Sequence, residues 1–117
     1  MSFFNSKKKE NLKDSIKKIM EKYPDRVPLY VSRSKTDKTL PDINNNKFIV
    51  PDNITVSDLI TIIRKRIQLG SDTSIFLFVN KKTIPSGSDT MSVLYEQYKN
   101  EDDMLMIEYC GENVFGN

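Results

Sequence analysis

A single cysteine, Cys110, in a chain with no histidine narrows the chemistry these residues could perform. Without an imidazole, neither a Cys-His dyad nor a Ser-His-Asp triad can be assembled, and zinc sites of the usual Cys/His kind are excluded. One thiol also rules out an internal disulfide framework, and Cys110 reads as an ordinary thiol at the end of a strand. The chain is therefore expected to have no catalytic residues, no metal and no cofactor, and to be a binding protein rather than an enzyme. Its function is sought instead in surfaces and in its C-terminal residues, Val114-Phe115-Gly116-Asn117.

The elements that would position such surfaces follow from hydrophobic period. Residues 1 to 6 show none and are read as a flexible start, with Phe3 and Phe4 an exposed apolar pair in need of either a docking surface or a partner. From Glu10 onward, Leu12, Ile16, Ile19, Met20 and Tyr23 share one helical face, and Pro24 ends the element. Val27, Leu29 and Val31 alternate with polar or restricted residues as in a strand, whose Pro28 asks for an edge or an early position. Ser34 to Asn46 reads as a polar connection, and Lys47 to Val50 as a second strand stopped by Pro51. Thr55-Val56-Ser57-Asp58 has the form of a capping box. Val56, Ile60, Ile63 and Ile67 then form one stripe of a helix, with Leu59 and Ile62 offset from it and Gly70 as the stop. Residues 75 to 79 are apolar on both faces and read as an interior strand. Residues 91 to 99 follow as a short helix and residues 105 to 109 as a last strand.

At 117 residues, with 38% apolar and 29% charged content, the chain fits one soluble globular domain. The longest apolar run, Ile75 to Val79, is far short of the roughly 20 residues that span a bilayer, and the N-terminus lacks a signal-peptide core. A cytoplasmic protein is expected, whose stable membrane attachment would require a covalent lipid or a partner. The net charge is only +2, but its signs are segregated. Residues 7 to 26 hold eight Lys/Arg against four Asp/Glu, whereas residues 89 to 112 hold seven acids and Lys99. Such polarity orients encounters with charged partners, or is simply a solvated face. Arg64-Lys65-Arg66 lacks interleaved aromatics and is a weak nucleic-acid signal, so no nucleic acid is expected.

The blocks KYPDRVPLYV (22–31), KFIVPDNITVSDLITIIRKRIQL (47–69), IFLFVN (75–80), MSVLYEQYKNED (91–102) and EYCGENVFGN (108–117) together resemble the GABARAP and light-chain-three family of ubiquitin-like autophagy modifiers. The likeness extends over about residues 19 to 117 in order and near-family spacing. It implies an α+β, ubiquitin-like β-grasp fold with an additional N-terminal helical segment. The expected divisions are an extension at 1–26, the ubiquitin-like domain at 27–110 and a flexible conjugation tail at 111–117. It also implies that a processing cysteine protease cuts after Gly116 and removes Asn117. Activating and conjugating enzymes would then join Gly116 to phosphatidylethanolamine on the autophagosome membrane. A residue without Cβ suits a tail that must thread a narrow channel toward a catalytic cysteine; a frayed end with an incidental Phe-Gly is the alternative. A free interaction domain, or a modifier attached to protein lysines, are the competing functions.

The resemblance further implies recognition of aromatic-x-x-aliphatic motifs on cargo receptors by addition of a strand to the edge at Lys47 to Val50. By matching, Ile19, Pro28, Tyr30, Lys47, Ile49 and Met104 would line the aromatic pocket. Phe48, Val50, Pro51, Ile54, Leu59 and Ile62 would line the aliphatic one. Arg26, Lys47 and Arg66 would meet acidic residues flanking the motif. The same apolar residues could equally pack a core. Three departures from the family pattern stand out. The N-terminal segment lacks the family's proline-phenylalanine-glutamate string, which removes the basis for assigning it that segment's roles. Asn45 and Asn46 replace basic residues, implying a weaker preference for acidic flanks. Met104 replaces an aromatic, implying a softer pocket.

Overall fold

The computed structural model describes the backbone of residues 2–111 and the side chains of residues 12–111. The order is α1 (Ser2–Lys22), β1 (Arg26–Arg33), β2 (Lys47–Pro51), α2 (Val56–Arg66), β3 (Phe76–Val79), α3 (Met91–Tyr98) and β4 (Leu105–Cys110). The strands form one mixed sheet in the order β2-β1-β4-β3. β1 runs antiparallel to β2 and parallel to β4, and β3 runs antiparallel to β4. A parallel central pair flanked by antiparallel outer strands, crossed by one long helix, is the β-grasp arrangement.

Helix α1 begins at Ser2 rather than near Glu10. Residues 2 to 22 contain neither Gly nor Pro, and the Lys-rich stretch has good helix propensity without needing an apolar face. The side chains of Phe3 and Phe4 lie outside the described residues, as do Val114, Phe115, Gly116 and Asn117. Ile16 is buried and Ile19 and Met20 are half-buried, while α1 packs on β1.

The main core lies on the other face of the sheet. Val27, Leu29 and Val31 of β1, Phe48 and Val50 of β2, and Leu105, Ile107 and Tyr109 of β4 meet Val56, Leu59, Ile63 and Ile67 of α2. Leu59, assigned from sequence to the offset stripe, is fully buried, whereas Ile60 is half-buried. At about 100° per residue the two flank the Val56–Ile63–Ile67 line on opposite sides, so tertiary packing decides which enters. Thr55 accepts the Asp58 N–H (3.2 Å) and Asp58 accepts the Thr55 N–H (3.0 Å), completing the capping box. The helix stops earlier than Gly70. Leu69 N–H donates to Arg64 O and Gln68 N–H to Lys65 O, with Gln68 at φ 58°, a Schellman turn built without glycine.

Two further expectations are corrected. β3 is an edge strand and not an interior one. Leu77 and Val79 are buried in the core and Phe78 on the opposite face, so burial of both faces coexists with an edge position in the sheet. The 34–46 connection is also more than polar surface. Leu40 and Ile43 belong to the core, and Asp37 is buried. β1 is central, and its Pro28 is tolerated because pairing with β4 starts only at Leu29 and the Pro28 nitrogen faces away from β2.

Candidate peptide-binding edge

Strand β2 lies at the edge of the sheet, and its burial alternates strictly: Lys47, Ile49 and Pro51 are exposed, Phe48 and Val50 buried. Val31 N–H donates to Asn46 O at 2.8 Å. Antiparallel alternation therefore turns the backbone groups of Phe48 and Val50 toward β1, and those of Lys47, Ile49 and Pro51 toward the open edge. Arg26 Nη1 reaches the outward carbonyl of Ile49 at 3.4 Å. The outward N–H of Lys47 donates to Asn45 Oδ1 at 3.1 Å.

On the α1 face, the register sets Pro28 opposite Ile49 and Tyr30 opposite Lys47. Pro28 is buried, Tyr30 half-buried and Ile49 38% exposed. Met104 directly precedes β4 and is buried. The parallel register, Leu29 beside Leu105, brings it alongside Pro28. Close by, the Tyr95 hydroxyl donates to Asp103 O at 2.8 Å and lies 3.2 Å from Met20 Sδ, pinning α1 to the start of β4. Burial, with Asp103 and Glu96 nearby, pushes the Tyr95 phenol up to about 12. The sheet residues assigned to the aromatic pocket therefore share one face, with Ile19 on the helix that packs there.

The second group divides. Leu59 is wholly buried and Phe48 and Val50 nearly so, all inside the core. Ile54 and Ile62 are half-buried at its margin, and Pro51 is exposed. Access between β2 and α2 is thus through Ile54, Ile62 and Pro51, with the Arg66 guanidinium 4.7 Å from the Phe48 ring centroid, within cation–π range. Arg26 stands opposite Pro51 at one end of β2 and Lys47 at the other. Arg64 donates to the carbonyls of Gly70 and Thr73. The Arg64-Lys65-Arg66 run is thus divided between a loop anchor and an aromatic contact.

The chain matches the family described as autophagy protein Atg8, ubiquitin-like, over residues 10–116. This chain belongs to the Atg8 family. Autophagy-related protein 8a of Arabidopsis thaliana is 44% identical over 100 residues, covering 86% of this chain and 80% of that protein. Autophagy-related protein 8 of Mycosarcoma maydis is 40% identical over 116 residues, 98% of this chain and 96% of that protein. The mixed sheet and helices described above agree with the ubiquitin-like fold of the Atg8 family.

Concave surface in this Atg8-family chain also occurs on the same face of the sheet as Tyr30, toward β4, among Ser32, Met106, Glu108 and Lys81. β2 offers an open edge, which is what strand addition needs. Sequence reading did not single out Asp37 or Tyr109. Leu40 and Ile43, isolated apolar residues in a polar stretch, were the available sign that the loop is packed. Nothing in the pattern marks Asp37 as buried.

Proposed function

We propose that this Atg8-family protein is a modifier rather than an enzyme, cut after Gly116 with loss of Asn117 and joined through Gly116 to phosphatidylethanolamine on autophagosomal membranes. A processing cysteine protease and activating and conjugating enzymes are its proposed partners. From the cytoplasm and from the membrane it captures aromatic-x-x-aliphatic motifs of cargo receptors. Residues 27–110 are the ubiquitin-like domain, 1–26 an extension and 111–117 the conjugation tail. Among the described residues no helix is long and apolar enough to cross a membrane. A diacyl lipid, at ~0.8 kcal/mol per buried CH₂, supplies an anchor without one.

The observation that carries the motif reading is the open β2 edge, with the Pro28–Ile49 and Tyr30–Lys47 pairs on one side and Ile54 and Ile62 on the other. A parallel or antiparallel peptide strand laid along Ile49 would place alternate side chains on these two surfaces. The conjugation reading is supported by family membership. Incubation with the processing protease should lower the mass by one asparagine, and later enzymes should add phosphatidylethanolamine. Identical behaviour of wild type and Gly116→Ala would remove the conjugation reading. A conjugate carrying a protein lysine instead of lipid would replace it with the protein-modifier alternative.

A further inference from the structure

We infer that Asp37 is a positioning residue that fixes the root of the C-terminal tail at Gly111, and so sets how the segment carrying Gly116 is presented to the processing protease. Asp37 is the buried charged residue among the described residues, 6% exposed. Its Oδ1 accepts the Gly111 N–H (3.0 Å) and the Thr39 hydroxyl (2.8 Å), and its Oδ2 accepts the Leu40 N–H (3.0 Å). A carboxylate satisfies all three donors because both oxygens accept; an amide would turn an N–H₂ toward one of them.

A second observation points to the same place. A Cβ on Gly111 would collide with Thr39 Oγ1 and come within 2.9 Å of Leu40 Cγ. Glycine is therefore what lets the chain run against the loop that Asp37 organises. Two more bonds draw that loop over the end of β4: the Tyr109 hydroxyl donates to Pro41 O (2.6 Å) and Ser34 N–H to Tyr109 O (2.8 Å). The 34–46 loop thus holds the last turn of backbone before the tail from both sides. Gly111, at the end of β4, is separated from the β2 edge by β1.

The role rests on the conjugation reading above. A tail with a fixed root samples fewer directions, so a larger fraction of molecules enters the protease channel productively. Once the tail is bound, the bond that breaks after Gly116 is beyond the reach of Asp37. Loss of the anchor should therefore raise KM and leave kcat unchanged.

The test uses the full chain as wild type, Asp37→Ala, Asp37→Asn and Gly111→Ala, with three readouts. In wild type the Gly111 amide should exchange slowly. In the variants its protection should fall, while Leu29, Leu105 and Ile107 keep theirs. Trimming should show a KM raised by about tenfold, as when the fraction of tails positioned for entry falls to about a tenth, with Asp37→Asn intermediate. Affinity for an aromatic-x-x-aliphatic peptide should not change, which a general loosening of the fold would not allow. If Asp37→Ala does not fold, Gly111→Ala carries the same comparison. Wild-type trimming kinetics in folded variants, or a Gly111 amide that exchanges freely in wild type, would overturn the inference alone. Failure of wild type to be trimmed at all would overturn the conjugation reading, and this role with it.

Discussion

At the scale of single residues, exposure separates binding from stability along β2. Phe48 is buried at 7% exposure within the core, whereas Ile49 next to it is 38% exposed. Truncating Phe48 to alanine should cost ~3–5 kcal/mol of folding stability, so a loss of partners in that variant would mix unfolding with lost contact. Ile49→Ala should stay within about 0.5 kcal/mol of wild type in a denaturant melt. Its motif-peptide affinity, read by calorimetry, should fall about tenfold, as for an anchor at the centre of an interface. Unchanged affinity would move the site off this edge. The buried phenols allow a separate check. Burial, reinforced by Asp42 and Asp37 and offset by Arg33, pushes Tyr109 up to about 12, the value reached also by Tyr95. A raised folded value favours the neutral phenol. The stability it contributes is complete below the unfolded value near 10 and is lost as pH rises through about 12. In an absorbance titration of the phenolates, Tyr95→Phe and Tyr109→Phe should each remove a late component and leave the ordinary ones.

At the scale of elements, the β2 edge is open but incompletely so, because Asn45 Oδ1 already accepts the outward N–H of Lys47 at 3.1 Å. An incoming strand must displace that bond or begin its ladder at the Ile49 N–H, beside the Ile49 carbonyl that Arg26 Nη1 reaches at 3.4 Å. Asn45→Ala frees the donor, and motif-peptide affinity should rise by about threefold, in line with a net ~0.5–1.5 kcal/mol per hydrogen bond; lower affinity would show that Asn45 itself contacts the peptide. Asn46, by contrast, is structural: its Nδ2 donates to Val31 O at 2.7 Å. β2 was legible as a strand because Pro51 is a local stop signal, and the Thr55–Asp58 cap was legible because it too is local; the edge position of β2 came only with the family resemblance. β3 was misread because apolar residues on both faces report face burial, while strand order depends on partners distant in sequence. The 34–46 loop was misread because its composition is polar although Leu40, Ile43 and Asp37 are buried. Thr39 and Leu40 give Asp37 two local donors, but only the approach of the end of β4 brings the third, the Gly111 N–H, and no local pattern encodes that approach.

At the scale of the whole molecule, a net charge of +2 gives little overall steering, so electrostatic selection must come from where the charges stand. Arg26 and Lys47 bracket β2 at opposite ends, about 13 Å apart at ~3.3 Å per residue, and Arg66 lies over Phe48 between strand and helix. The relevant range is set by screening, which extends about 10 Å at 0.1 M salt and about 3 Å at 1 M. A motif peptide with acidic flanks should therefore associate about tenfold more slowly at 1 M than at 0.1 M salt, with most of the change in the association rate. A neutral-flanked version should show almost none. Arg26→Gln combined with Lys47→Gln should abolish the difference between the two peptides without altering the neutral one's affinity by more than about twofold. Stopped-flow measurements on the four combinations decide the matter. A salt effect shared equally by both peptides would assign it to the bulk field of the molecule, and the bracketing residues would then have no part in choosing acidic partners.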